Sequence, residues 1–172
     1  MKQIYFVLTD SGTVLSKIIR HFMKDEYAHV SIALDKKLEH MYSFGRLNPY
    51  NPFHGGFVHE YIYKGTFKRF KKTKARVIVI NITDEQYKKL KQIIKETKRN
   101  RALFKFNVLG LFGIYFKVKR RKLNYFYCAE YIKFATEKSD IQLNLPELVR
   151  PENFKDIIGS KVVYTGLLQK YC

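Results

Sequence analysis

Cysteine is scarce in this chain, and long apolar runs are missing. Only two of the 172 residues are cysteines, Cys128 and Cys172, which excludes a disulfide-rich scaffold, and their spacing fits no zinc site. The longest apolar stretch, VLGLFGIYF, has about half of the roughly 18 residues expected of a membrane span. The first residues contain a short apolar run without the cleavage site of a signal peptide. We therefore expect a cytoplasmic protein that holds no metal and no other cofactor.

Acidic residues are also few, and the resulting positive charge is the strongest bulk feature of the chain. Against 15 Asp and Glu stand 33 Lys and Arg, for a formal net charge of +18 at pH 7. Such a field attracts nucleic acids, anionic membrane surfaces and acidic polymers. Cations are densest in KRFKKTKAR (68–76) and KVKRRK (117–122), but others are spread along the chain, as on an ordinary solvated surface. Zinc-finger, helix-turn-helix and RNP-type motifs are missing, so nucleic acid is the least favoured of these partners.

The remaining composition supplies a folded core. With 46% hydrophobic residues, including 14 Phe and 13 Tyr, the length fits one domain over residues 1–172. Alternating or β-branched runs predict six strands: QIYFVLT, HVSIALD, LEHMYSF, FVHEYIY, ARVIVINI and KVVYTG. Helical spacing predicts three helices: TVLSKIIRHFM, TDEQYKKLKQIIKETKRN with a Thr83–Gln86 capping box, and the segment after Cys128. Strands with segregated helices favour an α+β fold with an antiparallel sheet. The Pro- and Gly-rich GRLNPYNPFHGG is predicted to be a loop that shapes a cleft.

The segment NYFYCAEYIKFATEK (124–138) places a cysteine where an aromatic run gives way to a helix-forming run. If the helix begins at Cys128, the unpaired N–H groups and the macrodipole at its N-terminus favour a thiolate there. A thiolate is a nucleophile for acyl transfer and needs a nearby imidazole to move its proton. The alternative is a small buried residue without chemistry, which is the common role of a lone cysteine.

His29 is the best-placed histidine for such a thiol. It opens the strand HVSIALD directly after a loop, so its side chain projects at the edge of a sheet where a helix N-terminus can approach. A satisfied structural histidine is the alternative for this position. The other four lie within a helix, a strand, or the Pro- and Gly-rich loop and its exit: His21, His40, His54 and His59.

Two short motifs resemble a known superfamily. YAHVSIALD is similar to the histidine strand of the NlpC-type papain-like proteins, and YFYCAEYI is similar to their nucleophile segment. In papain and in ordinary NlpC-type enzymes the cysteine precedes the histidine, whereas here His29 precedes Cys128. That order resembles the circularly permuted branch, which includes the YiiX-like and the lecithin retinol acyltransferase-like proteins. The resemblance implies a permuted papain-like fold, with a small barrel-like antiparallel sheet and helices packed on one side.

The family usually has a third polar residue on the strand beside the histidine, where it orients the imidazole. A three-residue DKK turn sets a register in which His29 faces Ser43, whereas another turn length would change that pairing. Glu39 carries better chemistry but would lie near the turn. Glu60 qualifies if the Pro- and Gly-rich loop folds back. Ser43 is therefore the expected third residue, with Glu39 and Glu60 as alternatives.

Together these residues predict a cysteine peptidase or amidase. The Cys128 thiolate attacks an acyl carbon in a peptide or a small acyl-containing substrate, and His29 carries the proton. A covalent acyl-enzyme follows, and backbone N–H groups at the helix start stabilise the oxyanion. A tyrosine at position 5, 125 or 127 is a further candidate for that oxyanion role, although core or rim packing is the expected role of each.

Three other functions remain open from the sequence. A lipid thioesterase or acyltransferase would use the same residues and would suit the aromatic content and the basic surface. A pseudoenzyme would keep the fold without turnover, because Ser43 is a weaker orienting group than a carboxylate. A basic nucleic-acid-binding module would leave Cys128 inert and would lose affinity steeply with salt.

Overall fold

The computed structural model of the protein describes residues 1–13, 16–17, 20–21, 24–48, 50–107 and 124–171, without the side chains of residues 52 and 53. The helix predicted over TVLSKIIRHFM lies partly outside these residues, and FNVLGLFGIYF lies almost wholly outside them. The strands are β1 (Lys2–Asp10), β2 (His29–Ala33), β3 (Met41–Asn48), β4 (Asn51–Glu60), β5 (Lys74–Ile82), β6 (Lys105–Phe106), β7 (Tyr125–Phe126) and β8 (Lys161–Leu167). The helices are α1 (Gly65–Arg69), α2 (Asp84–Arg99) and α3 (Cys128–Glu137), with 3-10 turns at Arg101–Leu103, Pro151–Phe154 and Leu168–Lys170.

Six of these strands form one antiparallel sheet in the order β4-β3-β2-β1-β5-β8. The short strands β6 and β7 form a separate parallel pair. The predicted α+β fold with an antiparallel sheet is thus confirmed. The predicted barrel-like closure is not found among the described strands, because β4 and β8 lie at opposite edges of the sheet.

Hydrophobic residues cover both faces of the sheet, as the sequence of β1 requires. Seven consecutive residues of this strand, from Ile4 to Asp10, are buried, so successive side chains need cover on opposite faces. One core contains Phe6 together with the buried faces of α2 and α3. The other core contains Val7 and Phe67 of α1. The expectation that helices pack on one side therefore holds for α2 and α3 but is wrong for α1.

The helix α2 forms as its sequence predicts. The Thr83 side chain accepts a hydrogen bond from the Gln86 backbone N–H at 3.1 Å, and the Gln86 side chain accepts one from the Thr83 N–H at 2.9 Å. This reciprocal capping box satisfies two donors at the helix start. Leu90 and Ile94, four residues apart, lie buried against the sheet. No helix in the described part of the chain has the length and apolar character that crossing a membrane requires.

The Pro- and Gly-rich segment is a pair of strands rather than the predicted loop. β3 continues to Asn48 and β4 begins at Asn51, with an irregularity in the pairing between Arg46 and Asn48. The segment enters β4, an edge strand with one neighbour, where proline costs few ladder hydrogen bonds. As a consequence β4 returns along β3, and its last residue, Glu60, pairs with Met41.

The loop that leads into His29 is fixed to a distant part of the chain. Arg150 forms an ion pair with the buried Asp25 at 2.8 Å, and Glu152 accepts a hydrogen bond from the Tyr27 backbone N–H at 3.4 Å. Burial raises the pKa of Asp25 to about 6 although Arg150 opposes the shift. The loop is therefore attached to the 3-10 turn at Pro151–Phe154, and this attachment positions the start of β2.

Candidate active site

α3 places Cys128 at its N-terminal end. Cys128 is the first residue of the helix, as the sequence predicts, and it is only 4% exposed. Tyr127 has extended backbone geometry, and its N–H donates to the Glu130 side chain at 3.3 Å, which marks the start of the helix. Ala129 and Ile132 are fully buried and hold this end of the helix against the core. The thiol is thus fixed where the helix dipole stabilises negative charge.

His29, the first residue of β2, is hydrogen-bonded to Glu60, the last residue of β4. The His29 Nε2 atom lies 3.0 Å from Glu60 Oε1 and 3.3 Å from Oε2, and the two side chains are 22% and 10% exposed. Ser31, two residues further along β2, donates its hydroxyl hydrogen to Glu60 Oε2. A carboxylate only accepts hydrogen bonds, so the Nε2 atom of His29 carries a proton and Nδ1 is the ring nitrogen left for another partner.

The surroundings of His29 favour its charged form. Burial lowers the pKa of the ring, but the Glu60 charge and hydrogen bonds with Cys128 and Glu60 outweigh burial and raise the pKa from 6.5 to about 10. Cys128 is among the groups that raise this pKa, and it lines the same pocket as His29. The two residues predicted from the sequence to meet therefore line one pocket, and the Glu60 carboxylate stabilises the charged form of the His29 ring.

Ser43, the expected third residue, does not hydrogen-bond to His29. The turn after β2 is longer than three residues, since Ile32 pairs with Tyr42 and the Leu34 N–H donates to the His40 carbonyl oxygen. The register is shifted by two residues from the predicted one, which keeps Ser43 on the same face but moves it away from its expected partner. The Ser43 hydroxyl instead donates to the Val30 carbonyl oxygen at 2.7 Å.

Gly45 leaves the space that His29 and Glu60 occupy. A Cβ atom built on Gly45 would lie 3.3 Å from His29 Cε1 and 3.6 Å from Glu60 Oε1. A larger residue on this part of β3 would therefore press against the histidine–carboxylate pair. The absence of a side chain at this position lets a residue of β2 reach one of β4 across the strand that separates them.

The three side chains line one pocket at the end of the sheet. The pocket has about 640 Å³ of space, part of it open to solvent, and its walls include Cys128, His29 and Glu60. Phe44 reaches it from one core and Phe67 from the other. Further lining residues are Thr9, Ser11, Ser16, Ala28, Gly45, Arg46, Thr66 and Phe106. A buried thiol thus has access to a space that can hold a small group or the end of a chain.

Two of the tyrosines considered for the oxyanion role, Tyr5 and Tyr127, have structural roles. The Tyr127 hydroxyl donates to the Val149 carbonyl oxygen at 2.9 Å, and burial raises the pKa of this side chain. The Tyr5 hydroxyl donates to the Gln3 side chain at 2.9 Å, and its ring lies in the core opposite Cys128. The expectation of core packing is therefore confirmed for both residues.

Glu39 lies in the turn between β2 and β3, at the opposite end of β2 from His29. With Asp35 and His40 it forms a group of potential metal ligands, whose ligand atoms lie within 4.8 Å of one another. Asp35 already accepts the backbone N–H of Glu39 at 3.0 Å and that of His40 at 2.8 Å, and its carboxylate pairs with the His40 ring. These bonds close the turn, which explains the cluster without an ion.

Sequence reasoning proposed Cys128 and His29 but missed the hydrogen bond of Ser31 to Glu60 and the contributions of Gly45 and Arg46 to the pocket. Ser31 follows His29 at the two-residue spacing of one strand face, which is a signal that it lies beside the histidine. Gly45 carries the weaker signal of a glycine inside a strand, which often marks a close approach.

In comparisons with known proteins, the chain matches no family model and no curated protein.

Proposed function

We propose that this protein is a cysteine hydrolase of permuted papain-like fold that cleaves an amide bond in a peptide. Cys128 is the nucleophile, His29 moves the proton, and Glu60 takes the orienting role first expected of Ser43. The observation that carries the proposal is that Cys128, at the start of α3, lines one pocket with the His29–Glu60 pair and contributes to the raised pKa of His29. Covalent acyl transfer requires a nucleophile, a base and a group that orients the base, and these three residues can supply them.

The reaction starts from an ion pair in which His29 already holds the proton that Cys128 has given up, as the raised pKa of the ring favours. The thiolate attacks the carbonyl carbon, so that a C–S bond forms and the carbonyl electron pair moves to oxygen. Backbone N–H groups at the start of α3 stabilise this oxyanion. As the oxyanion collapses, the C–N bond breaks and the His29 imidazolium protonates the leaving amine. Water then attacks the thioester carbonyl carbon while His29 takes the water proton. The C–S bond breaks, the acid leaves, and the thiolate–imidazolium pair is restored.

A lipid thioesterase or acyltransferase on the same site is the second candidate. It is favoured by the apolar walls around the thiol, to which Phe44, Phe67 and Phe106 contribute. A pseudoenzyme is favoured if Ser43, a weak orienting group, is the residue that orients the His29 ring. Glu60 removes this argument, because a carboxylate bonded to Nε2 stabilises an imidazolium far better than a hydroxyl does.

Incubation with a peptide library and with a series of acyl thioesters tests the proposal. We expect time-dependent cleavage of peptides and an intact-mass increase, located at Cys128, that equals the acyl fragment of the substrate. Replacement of Cys128 by alanine is expected to abolish both, while Cys172→Ser retains them. Cleavage of thioesters alone would favour the second candidate. Equal activity of wild type and Cys128→Ala, or no adduct on any acyl donor, would refute a covalent mechanism.

A further inference from the structure

Arg46 is a half-buried cation in the wall of the same pocket. It lies near the end of β3, where the pairing with β4 becomes irregular, and directly follows Gly45. It also lines the adjoining cavity beside Lys64, so it stands between the space around Cys128 and a second opening. A substrate that reaches the thiol through this opening would pass the Arg46 guanidinium.

No acidic side chain neutralises Arg46. The structure describes all 15 Asp and Glu of the chain, and none of them forms an ion pair with this guanidinium. Its Nη2 donates to the Thr13 hydroxyl oxygen at 2.6 Å, and its face lies 5.7 Å from the centre of the Phe70 ring. Burial, and then the charge of Arg69, lower the pKa of Arg46. A partly desolvated cation whose polar partner is a neutral hydroxyl is costly in a folded protein unless an anion offsets its charge.

Hydroxyl groups converge on the same side of the pocket. The Ser11 hydroxyl donates to Thr13 Oγ1 at 3.3 Å, and Thr13 Oγ1 accepts the Ser16 backbone N–H at 3.2 Å. Ser11 and Ser16 both line the pocket with Arg46. The Ser16 hydroxyl donates to the Thr13 carbonyl oxygen at 2.9 Å, so both serine hydrogens are used within the protein. The guanidinium N–H groups of Arg46 are therefore the donors suited to a carboxylate or a phosphate group.

We propose that Arg46 binds an anionic group, a carboxylate or a phosphate, on the acyl substrate next to the bond that Cys128 attacks. This proposal rests on the proposed function and adds the substrate class to it. The anionic group of the substrate supplies the negative charge that no Asp or Glu side chain of the protein supplies to Arg46. The raised pKa of His29 does not depend on such an anion, because the Glu60 carboxylate already pairs with that ring.

The ratio of two alkylation rates tests this binding directly. Iodoacetate and iodoacetamide attack the same sulfur and differ in one negative charge, so the ratio of their rates at Cys128 reports a cation beside the thiol. In a Cys172→Ser background we expect Arg46→Gln to lower the iodoacetate-to-iodoacetamide ratio about five- to tenfold. Arg46→Lys, which keeps the charge, should lower it less. Lys95→Gln on α2 removes an equal charge away from the pocket and should leave the ratio unchanged.

A second measurement does not depend on the reactivity of the thiol. In a Cys128→Ala background at constant ionic strength, inorganic phosphate or glutarate should raise the melting temperature, and Arg46→Gln should remove that increase. A response to glutarate alone indicates a carboxylate substrate, and a response to phosphate alone indicates a phosphate ester. A ratio unchanged by Arg46→Gln at a reactive Cys128, or no anion-dependent melting shift, would overturn this inference and leave the hydrolase proposal standing. If Cys128 is unreactive but the Arg46-dependent melting shift is present, the anion site stands and the hydrolase proposal is overturned.

Discussion

Replacing His29 with alanine is expected to slow alkylation of Cys128 by iodoacetamide about 100- to 1000-fold near neutral pH. In the proposed mechanism the ring holds the thiol proton, and Glu60 stabilises the resulting imidazolium. Without the ring, the thiol has lost its proton acceptor in a site where it is only 4% exposed. Loss of a positioned proton acceptor commonly costs two or more orders of magnitude.

The measurement is a time course of intact mass in a Cys172→Ser background, so that a single thiol reacts. His54→Ala is the matched control, because His54 lies exposed on β4 and is not part of the pocket wall. It should react at the wild-type rate. Circular dichroism must remain native for both variants, since unfolding would expose Cys128 to the reagent. A natively folded His29→Ala protein that reacts at the wild-type rate would remove His29 from the mechanism.

Glu60→Gln should lower the pKa of His29 by about 1–3 units. In the wild type the raised pKa keeps the ring protonated from neutral pH up to about 10, so the acid that protonates the leaving amine persists over that range. In the variant this acid is lost at lower pH, and the alkaline limb of the pH–turnover profile moves down by the same amount. For the same reason the free energy of unfolding of the wild type, relative to the variant, falls as the pH rises from the lowered His29 pKa of the variant to about 10.

The titration of the His29 ring can be followed by NMR without any substrate. Ser43→Ala serves as the comparison, because its hydroxyl donates to the Val30 carbonyl oxygen and makes no hydrogen bond to the ring. We expect an unchanged His29 pKa in Ser43→Ala and a lowered one in Glu60→Gln. The opposite pattern would restore Ser43 as the orienting residue and exclude Glu60.

The two residues predicted with the most specific local signals are those that the fold brings together. A cysteine before a helix-forming run and a histidine at the start of a strand are each defined by a few neighbouring residues. The capping box of Thr83 and Gln86 likewise lies within one turn of helix. Such features depend on hydrogen bonds and periodicities of short range, so the sequence contains them directly.

The third residue depended on pairing between strands, which local patterns do not specify. The DKK motif suggested a short turn, whereas hydrogen bonds from Glu39 and His40 to Asp35 extend the turn and shift the register. Glu60 reaches His29 only because the Pro- and Gly-rich segment pairs as strands and Gly45 lacks a side chain. The position of Arg46 beside Cys128 depends on the same strand pairing.

Competition between the two cysteines of the wild-type protein tests the central claim most directly. A short exposure to iodoacetamide near neutral pH, followed by mass spectrometry of the two cysteine peptides, gives both rates in one sample. We predict that Cys128 is alkylated at least about tenfold faster than Cys172 despite its burial, because Cys128 lies at the start of α3 and shares the pocket with His29. Equal rates, or a Cys128 that stays unmodified in the folded protein, would contradict an activated thiol in this pocket.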